Sequence, residues 1–256
     1  MDIFNPYYLQ IVMFFIINAI LGISIYFTLA SGQLSLGAAG FMSVGAYVGA
    51  LLSLKADLPI VVGILVGCFV AALVAVIIGL PTTRLKGLYL AIATLGFGEV
   101  VRVIFLNLDV TNGALGLSGI PSIPQELTNF AYEIDIDGLM GIDAVAWGNI
   151  MAIIILLIVL IFIIAFCVRI NNSRVGRAFA AIKADDHAAE LMGINVVYYK
   201  MMAFIIGAFI AGIGGGLYAH ITNFINPTDF SYHKVVQILL FPVFGGSNVV
   251  WGSVLG

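Results

Sequence analysis

Glu99 and Arg102 stand three residues apart in the apolar run LYLAIATLGFGEVVRVIFLN. A carboxylate and a guanidinium at that spacing share one face of a helix and can pair. In lipid a charged side chain at a helix centre costs roughly 2.5–3.5 kcal/mol on insertion scales, so the two must neutralise each other or serve a purpose. Two readings stay open: a structural ion pair near the outer interface with Arg102 snorkelling, and a polar element of a substrate path or gate with Glu99 as a proton or cation site. Thr94 shares the flank of Glu99 only loosely and carries less weight. A second polar group, Gln33 and Ser35 in GQLSLG, opens another apolar run. Unwound backbone there would line a path, as in transporters with discontinuous helices.

Signs of catalysis are missing. His187, His220 and His233 show no metal-ligand spacing and no HExxH occurs, so they are read as loop or span-end residues and no metal is expected. None of the five lysines, Lys55, Lys86, Lys183, Lys200 and Lys234, lies in GxxxxGK[ST], and no serine lies in GxSxG. Cys68 and Cys167 both sit in apolar runs, which argues against a disulfide framework. No catalytic residue and no cofactor bound by this chain is therefore expected. Any energy source must be another protein or an ion gradient. A gradient-driven carrier would be expected to hold acidic residues at several span midpoints, and Glu99 alone lies clearly inside one.

These residues need elements to position them, and composition dictates which. With 62% hydrophobic and 9% charged residues among 256, and a mean hydropathy of +1.16, the chain has too little polar surface for a soluble globule. An all-α polytopic bundle in a membrane is expected, in contact with lipid. A formal net charge of −3 with no basic stripe leaves no footprint for nucleic acid. A helix crossing about 30 Å of hydrocarbon needs roughly 20 apolar residues. That ruler predicts one transmembrane domain over 1–256, with spans near 8–30, 35–54, 59–80, 88–108, 147–168, 201–221 and 235–256. The second and seventh are rich in glycine and small polar residues, which leaves each of them open to a break or a re-entrant course.

The first span follows Asp2 with no preceding lysine or arginine, so it lacks the basic flank of a cleavable signal peptide and is read as a permanent helix. Arg84 and Lys86 fall in one connection, while Arg169, Arg174, Arg177, Lys183 and Lys200 crowd another over 169–200. The positive-inside bias puts both in the cytoplasm. The segment 109–146, with Glu126, Glu133, Asp135 and Asp137 and no basic residue, is then external, as is the amino terminus. Small residues recur at four-residue spacing: Gly45 and Gly49, Gly63 and Gly67, then Ala203, Gly207, Ala211 and Gly215 beside Ala208, Gly212 and Gly216. Such rows let helix backbones approach closely.

The cytoplasmic segment carries its own helix signals. Asp185 or Asp186 can cap a helix of about two turns through His187, Ala188, Ala189, Glu190, Leu191 and Met192, and Gly193 can close it in a left-handed conformation. A helix that short needs a packing partner. Leu191 and Met192 offer an apolar knob for a groove. A helix lying on the inner leaflet fits the same residues equally well.

A resemblance separates the two readings. AFAAIKADDHAAELMGINVVYYKMMAFIIGAFIAGIGGGLYA resembles the EAA-type coupling loop of ABC importer permeases, in the form found in the branched-chain amino acid family. GQLSLGAAGFMSVGAYVGALL, LKGLYLAIATLGFGEVVRVI, TNGALGLSGIP and LLFPVFGGSNVVWGSVLG resemble further blocks of that family in the same order, nearer to its LivM type than to its LivH type. The resemblance implies an inner-membrane permease subunit working by alternating access on branched-chain amino acids. It implies a second homologous permease, two cytoplasmic ATP-binding subunits that hold ATP and Mg, and an external solute-binding protein. Ala188, Ala189, Glu190, Leu191, Met192 and Gly193 would couple it to the ATPase. The EAA pattern is partial, and the chain stops at Gly256 inside an apolar segment where related permeases continue, so a shortened chain is expected. A gradient-driven carrier using Glu99 and a non-transporting scaffold are the alternatives.

Overall fold

A computed structural model describes residues 6–82, 84–134, 143–246 and 250–256. In chain order the helices are α1 (Pro6–Ala30), α2 (Ala38–Lys55), α3 (Ile60–Thr82), α4 (Leu88–Asn107), α5 (Ile123–Glu133), α6 (Ala144–Asn171), α7 (Arg174–Ala184), α8 (Asp186–Leu191), α9 (Val196–Thr222), α10 (Tyr232–Gly245) and α11 (Val250–Leu255). Two short strands, β1 (Leu117–Ser118) and β2 (Phe224–Ile225), pair antiparallel, with Leu117 opposite Ile225. Among the described residues α1, α2, α3, α4, α6 and α9 are long and apolar enough to cross a membrane.

The centre of the bundle is α9, packed on α1, α2 and α3. Its small-residue rows make this possible. A Cβ added to Gly207 would lie 2.6 Å from Ser24 O, and one added to Gly212 would lie 2.8 Å from the Cα of Cys68. Backbone meets backbone, as the spacing predicts for helices that associate without a hydrophobic driving force. Around this contact close Phe27, Tyr47, Phe204 and Phe230, all fully buried. Of the long helices α2 is the least apolar and the most buried, while the two most apolar, α3 and α6, bury only about a third of their residues. Lipid accepts the apolar faces, and close packing falls to helices rich in small residues.

The span near 235–256, left open to a break, is broken: α10 has 14 residues, about 21 Å, too short for the hydrocarbon core. Gly246 follows with φ +99°, and α11 packs back against α10 and against Gly22 of α1. A positive φ, open to glycine without strain, ends the helix. The expected loop 109–146 also contains α5, which lies along α6, its Thr128 and Pro124 crowding Gly148. Pro124 in its first turn suits a helix start. Asp135 and Asp137 lie outside the described residues. The segments around β1 and β2 bury Leu117, Ile120, Ile225 and Phe230 in the end of the bundle opposite α7 and α8.

Candidate functional site: a capped surface helix and two polar clusters

α7 and α8 leave the bundle together and each has its own cap. The Ser173 hydroxyl accepts the Val175 N–H at 3.1 Å. Asp185, between the two helices, accepts the N–H groups of His187 at 2.8 Å and Ala188 at 3.1 Å. The Ala188 and His187 amides hold the Asp185 carboxyl below its ordinary range, because they favour the ionised form. At the other end Gly193 takes φ +82°, its N–H reaching Glu190 O at 3.0 Å while Ile194 N–H reaches Ala189 O at 3.1 Å. That pair of bonds is a Schellman closure, which needs the left-handed residue at this position.

Of the residues expected to couple this segment to a partner, Ala189 turns inward and is buried, while Ala188, Glu190, Leu191, Met192 and Gly193 are exposed. Leu191 and Met192 are 88% and 84% exposed, an apolar tip with no cover from this chain. The helix is braced from behind by Lys200 of α9, whose Nζ lies 2.5 Å from Asp186 Oδ2. Beside it opens a cleft of about 540 Å³ lined by Arg84, Lys86, Asp186, His187, Glu190 and Lys200, among others. The two basic connections expected on one side of the membrane thus meet at one end of the bundle.

The four expected path residues fall into two groups. Gln33 and Ser35 lie in a non-helical link, 31–37, before α2. Gly32, at φ +74°, passes so close to Lys183 of α7 that an added Cβ would lie 3.2 Å from its Cα. Gln33 is 3% exposed, and neither its Oε1 nor its Nε2 has a hydrogen-bond partner. The link is pinned to α4 by Thr94, whose Oγ1 accepts the Leu36 N–H at 2.9 Å and donates back to Leu90 O at 2.9 Å. Thr94 is completely buried, and its part in holding this link is invisible in a reading that compares it only with Glu99.

Glu99 and Arg102 form the second group, five residues and about 7.5 Å further along α4 from Thr94, more than a third of a turn around it. Arg102 Nε donates to Glu99 Oε2 at 2.7 Å. The other oxygen, Oε1, accepts the N–H of Tyr232 at 3.2 Å, so Glu99 also caps the first residue of α10. His220, expected at a span end, is there but fully buried: its ring bridges Ser53 at 3.0 Å and Gly216 O at 2.7 Å.

A bundle with six bilayer-length helices among the described residues, a capped helix held outside it and polar side chains buried within, has the construction of a polytopic membrane permease. The family described as "Branched-chain amino acid transport system / permease component" matches residues 7–256, and the chain belongs to it. The permease protein LivM of Salmonella typhimurium (strain LT2) is 31% identical over 233 residues, 88% of this chain and 55% of the relative. The probable LivM of Methanocaldococcus jannaschii is 27% identical over 69% of this chain and 47% of its own. LivH of Escherichia coli K12 is 29% identical over 41% of this chain and 34% of the relative. The chain thus spans about half the length of the LivM relatives. No solved structure matches it.

Proposed function

We propose that the chain is the LivM-type permease subunit of an ATP-driven importer that carries branched-chain amino acids across the inner membrane by alternating access. The observation that carries this reading is α8: a helix of six residues, capped at both ends, braced by Lys200, with Leu191 and Met192 bare at its tip. A helix that short is maintained by packing, and this one keeps its apolar end free for a second protein. Two ATP-binding subunits, holding ATP and Mg, would grip it from the cytoplasm. A second, LivH-like permease and an external solute-binding protein complete the assembly. The names of the relatives support the substrate class. The gathering of Arg84, Lys86, His187 and Lys200 around one cleft supports a cytoplasmic position for that end and an external amino terminus.

The mechanism follows from differential contact. Closure of the ATP-binding subunits shifts the permease between inward-open and outward-open states by as much as the docked α8 contacts differ between them. The subunit itself does no chemistry. Glu99 is already engaged by Arg102 and by the Tyr232 N–H, so it is a held structural partner and not the open carboxylate that a gradient-driven carrier needs.

The test is co-purification with the ATP-binding subunits, comparing wild type with the double variant Leu191→Asp, Met192→Asp. Both positions are exposed, so the variant is expected to insert normally and lose the ATP-binding subunits and uptake together. Uptake that continues without any ATPase, and stops in Glu99→Gln, would overturn the reading.

A further inference from the structure

The cluster at the start of α10 holds a cation whose hydrogen-bond partners are both neutral amides. Lys234 is the third residue of α10. Its ammonium donates to Asn18 Oδ1 of α1 at 3.4 Å and to Gln237 Oε1 at 3.5 Å, and lies 5.6 Å from the centre of the Tyr218 ring. All three neighbours are neutral. Both hydrogen bonds are long beside the roughly 2.7–2.9 Å typical when an ammonium meets an ionised oxygen. Among the described residues the two ion pairs are Glu99 with Arg102 and Asp186 with Lys200, and Lys234 is in neither. Asp229 acts on it only through its field, one carboxylate oxygen being held by the Asn226 N–H.

Depth makes this cation significant. Tyr7 and Tyr8 are exposed at the start of α1, where aromatic rings mark a membrane interface. Asn18 lies ten residues below Tyr8, about 15 Å along the helix, half of a hydrocarbon core of about 30 Å. The Lys234 ammonium therefore sits beside the middle of α1 and not at its end, within a span, where a charge is costly and is kept for a use. The cluster is not sealed: Lys234 is half-buried and Gln237 is exposed on the side of the chain. An amide and an ammonium open at that depth fit a water-filled path, not hydrocarbon.

We propose that Lys234, with Asn18 and Gln237, receives the carboxylate of the transported amino acid within the translocation path. The inference rests on the importer reading above and names the contact that such a path would make with its substrate. An arriving carboxylate would exchange two long neutral contacts for a charge-assisted one, and either amide could rotate to present its NH₂ group as a further donor. The Tyr218 ring walls the other side.

The test uses the assembled importer with its ATP-binding subunits and solute-binding protein. In proteoliposomes Lys234→Gln is expected to lower ATP-driven leucine uptake about tenfold or more, the size of one charge-assisted hydrogen bond. The variant removes a charge from membrane depth, so subunit assembly is expected to hold. Without the solute-binding protein, Gln237→Cys is labelled with a water-soluble maleimide; the native Cys68 and Cys167 are buried. Leucine is expected to protect the label site and 3-methylbutylamine, which lacks the carboxylate, is not, with protection lost when Lys234→Gln is added. If wild type takes up no amino acid, the importer reading falls and this proposal with it. If wild type transports and Lys234→Gln keeps pace, the importer reading stands and this proposal is wrong. It is equally wrong if Gln237→Cys resists labelling, if both compounds protect alike, or if Lys234→Gln fails to assemble while Lys234→Arg assembles without restoring protection.

Discussion

Gly45→Ala and Gly96→Ala exchange the same atoms and should move stability in opposite directions. A Cβ on Gly45 would lie 2.5 Å from the Cα of Gly212 and 2.7 Å from its carbonyl carbon, and closer still to its oxygen. On the other flank a Cβ on Gly67 of α3 would meet the Gly45 oxygen at 2.6 Å, so the junction of α2, α3 and α9 has no slack. Ordinary contact begins near 3.4 Å, so α2 and α9 must part by about 1 Å, a gap that forfeits a quarter to a half of each van der Waals well across the interface. The atoms in the way are backbone and cannot rotate aside, which places the cost at about 3 kcal/mol, the upper part of the overpacking range. For a chain of this size that corresponds to a fall of about 6–12 °C in Tm. Gly96 is an exposed residue within α4 with nothing within 4 Å of its Cβ position. Alanine there gains about 0.5–1 kcal/mol by restricting the unfolded chain, a rise of roughly 1–4 °C. Thermal unfolding of the purified protein in one detergent, at one scan rate, decides the matter. Equal shifts for the two variants, or a Gly45→Ala protein within 2 °C of wild type, would refute the claim that backbone contact holds the centre of the bundle.

Three further outcomes are expected. Asp185→Ala removes the acceptor for the His187 and Ala188 N–H groups, so the amides of α8 should lose protection in hydrogen exchange. Because the folded carboxyl lies below its ordinary value near 3.9, the ordering it gives should be complete above that value and fade only as pH falls through the lower folded one; protection corrected for intrinsic rates should stay level between pH 7 and 5. Lys200→Met leaves Asp186 without its cation, but that carboxylate is 25% exposed, so the cost should be about 1–2 kcal/mol and not the 3–5 of a sealed pair. It should appear as roughly 5–30-fold faster exchange confined to α8. Thr94→Val keeps the shape but strands the Leu36 N–H, at a cost of about 1–3 kcal/mol. A cysteine at Ser35 should then react faster with a thiol reagent, and unchanged reactivity would mean that Thr94 does not pin the link.

What could be read from the chain depended on how far apart the interacting residues stand. The long helices are legible because hydrocarbon thickness sets a ruler that an apolar run must match. The caps of α8 are legible because Asp185, Gly193 and the residues they serve lie within ten positions, and the structure realises both ends. The four-residue glycine spacing shows that helices pack closely, yet not that Gly45 meets Gly212, a pairing 167 positions apart fixed by the whole bundle. The role of Thr94 depends on Leu36, 58 positions away. Lys234 is the clearest omission. A linear window places it just before an expected span, at an interface where a lysine needs no explanation. It comes beside Asn18 in the middle of α1 because 223–231 folds inward between β2 and the Tyr47–Phe230 contact, starting α10 within the bundle. No local pattern announces that descent.

The two polar regions lie at opposite ends of one element. α9 has 27 residues, about 40 Å, with Lys200 in its second turn beside α8 and with Tyr218 and His220 in its last turns. Along its length Gly207, Gly212 and Gly215 press on the backbones or side-chain stems of α1, α3 and α2. Contacts without intervening side chains leave little room for one helix to slide past another, so α9, α2 and α3 must move as a block. Toward α4 and α9 the connections of α10 are of another kind: the Glu99 carboxylate at its first amide, and Lys234 above the Tyr218 ring. These are polar, few and at single residues, and they can remake themselves over a displacement that glycine contacts would resist. If a partner displaces α8, Lys200 passes the force to α9, and the Tyr218 face beneath Lys234 is where the rigid block meets α10. A helix gripped at one surface would in that way reshape a cation site at the far end of α9, with no residue in contact with both.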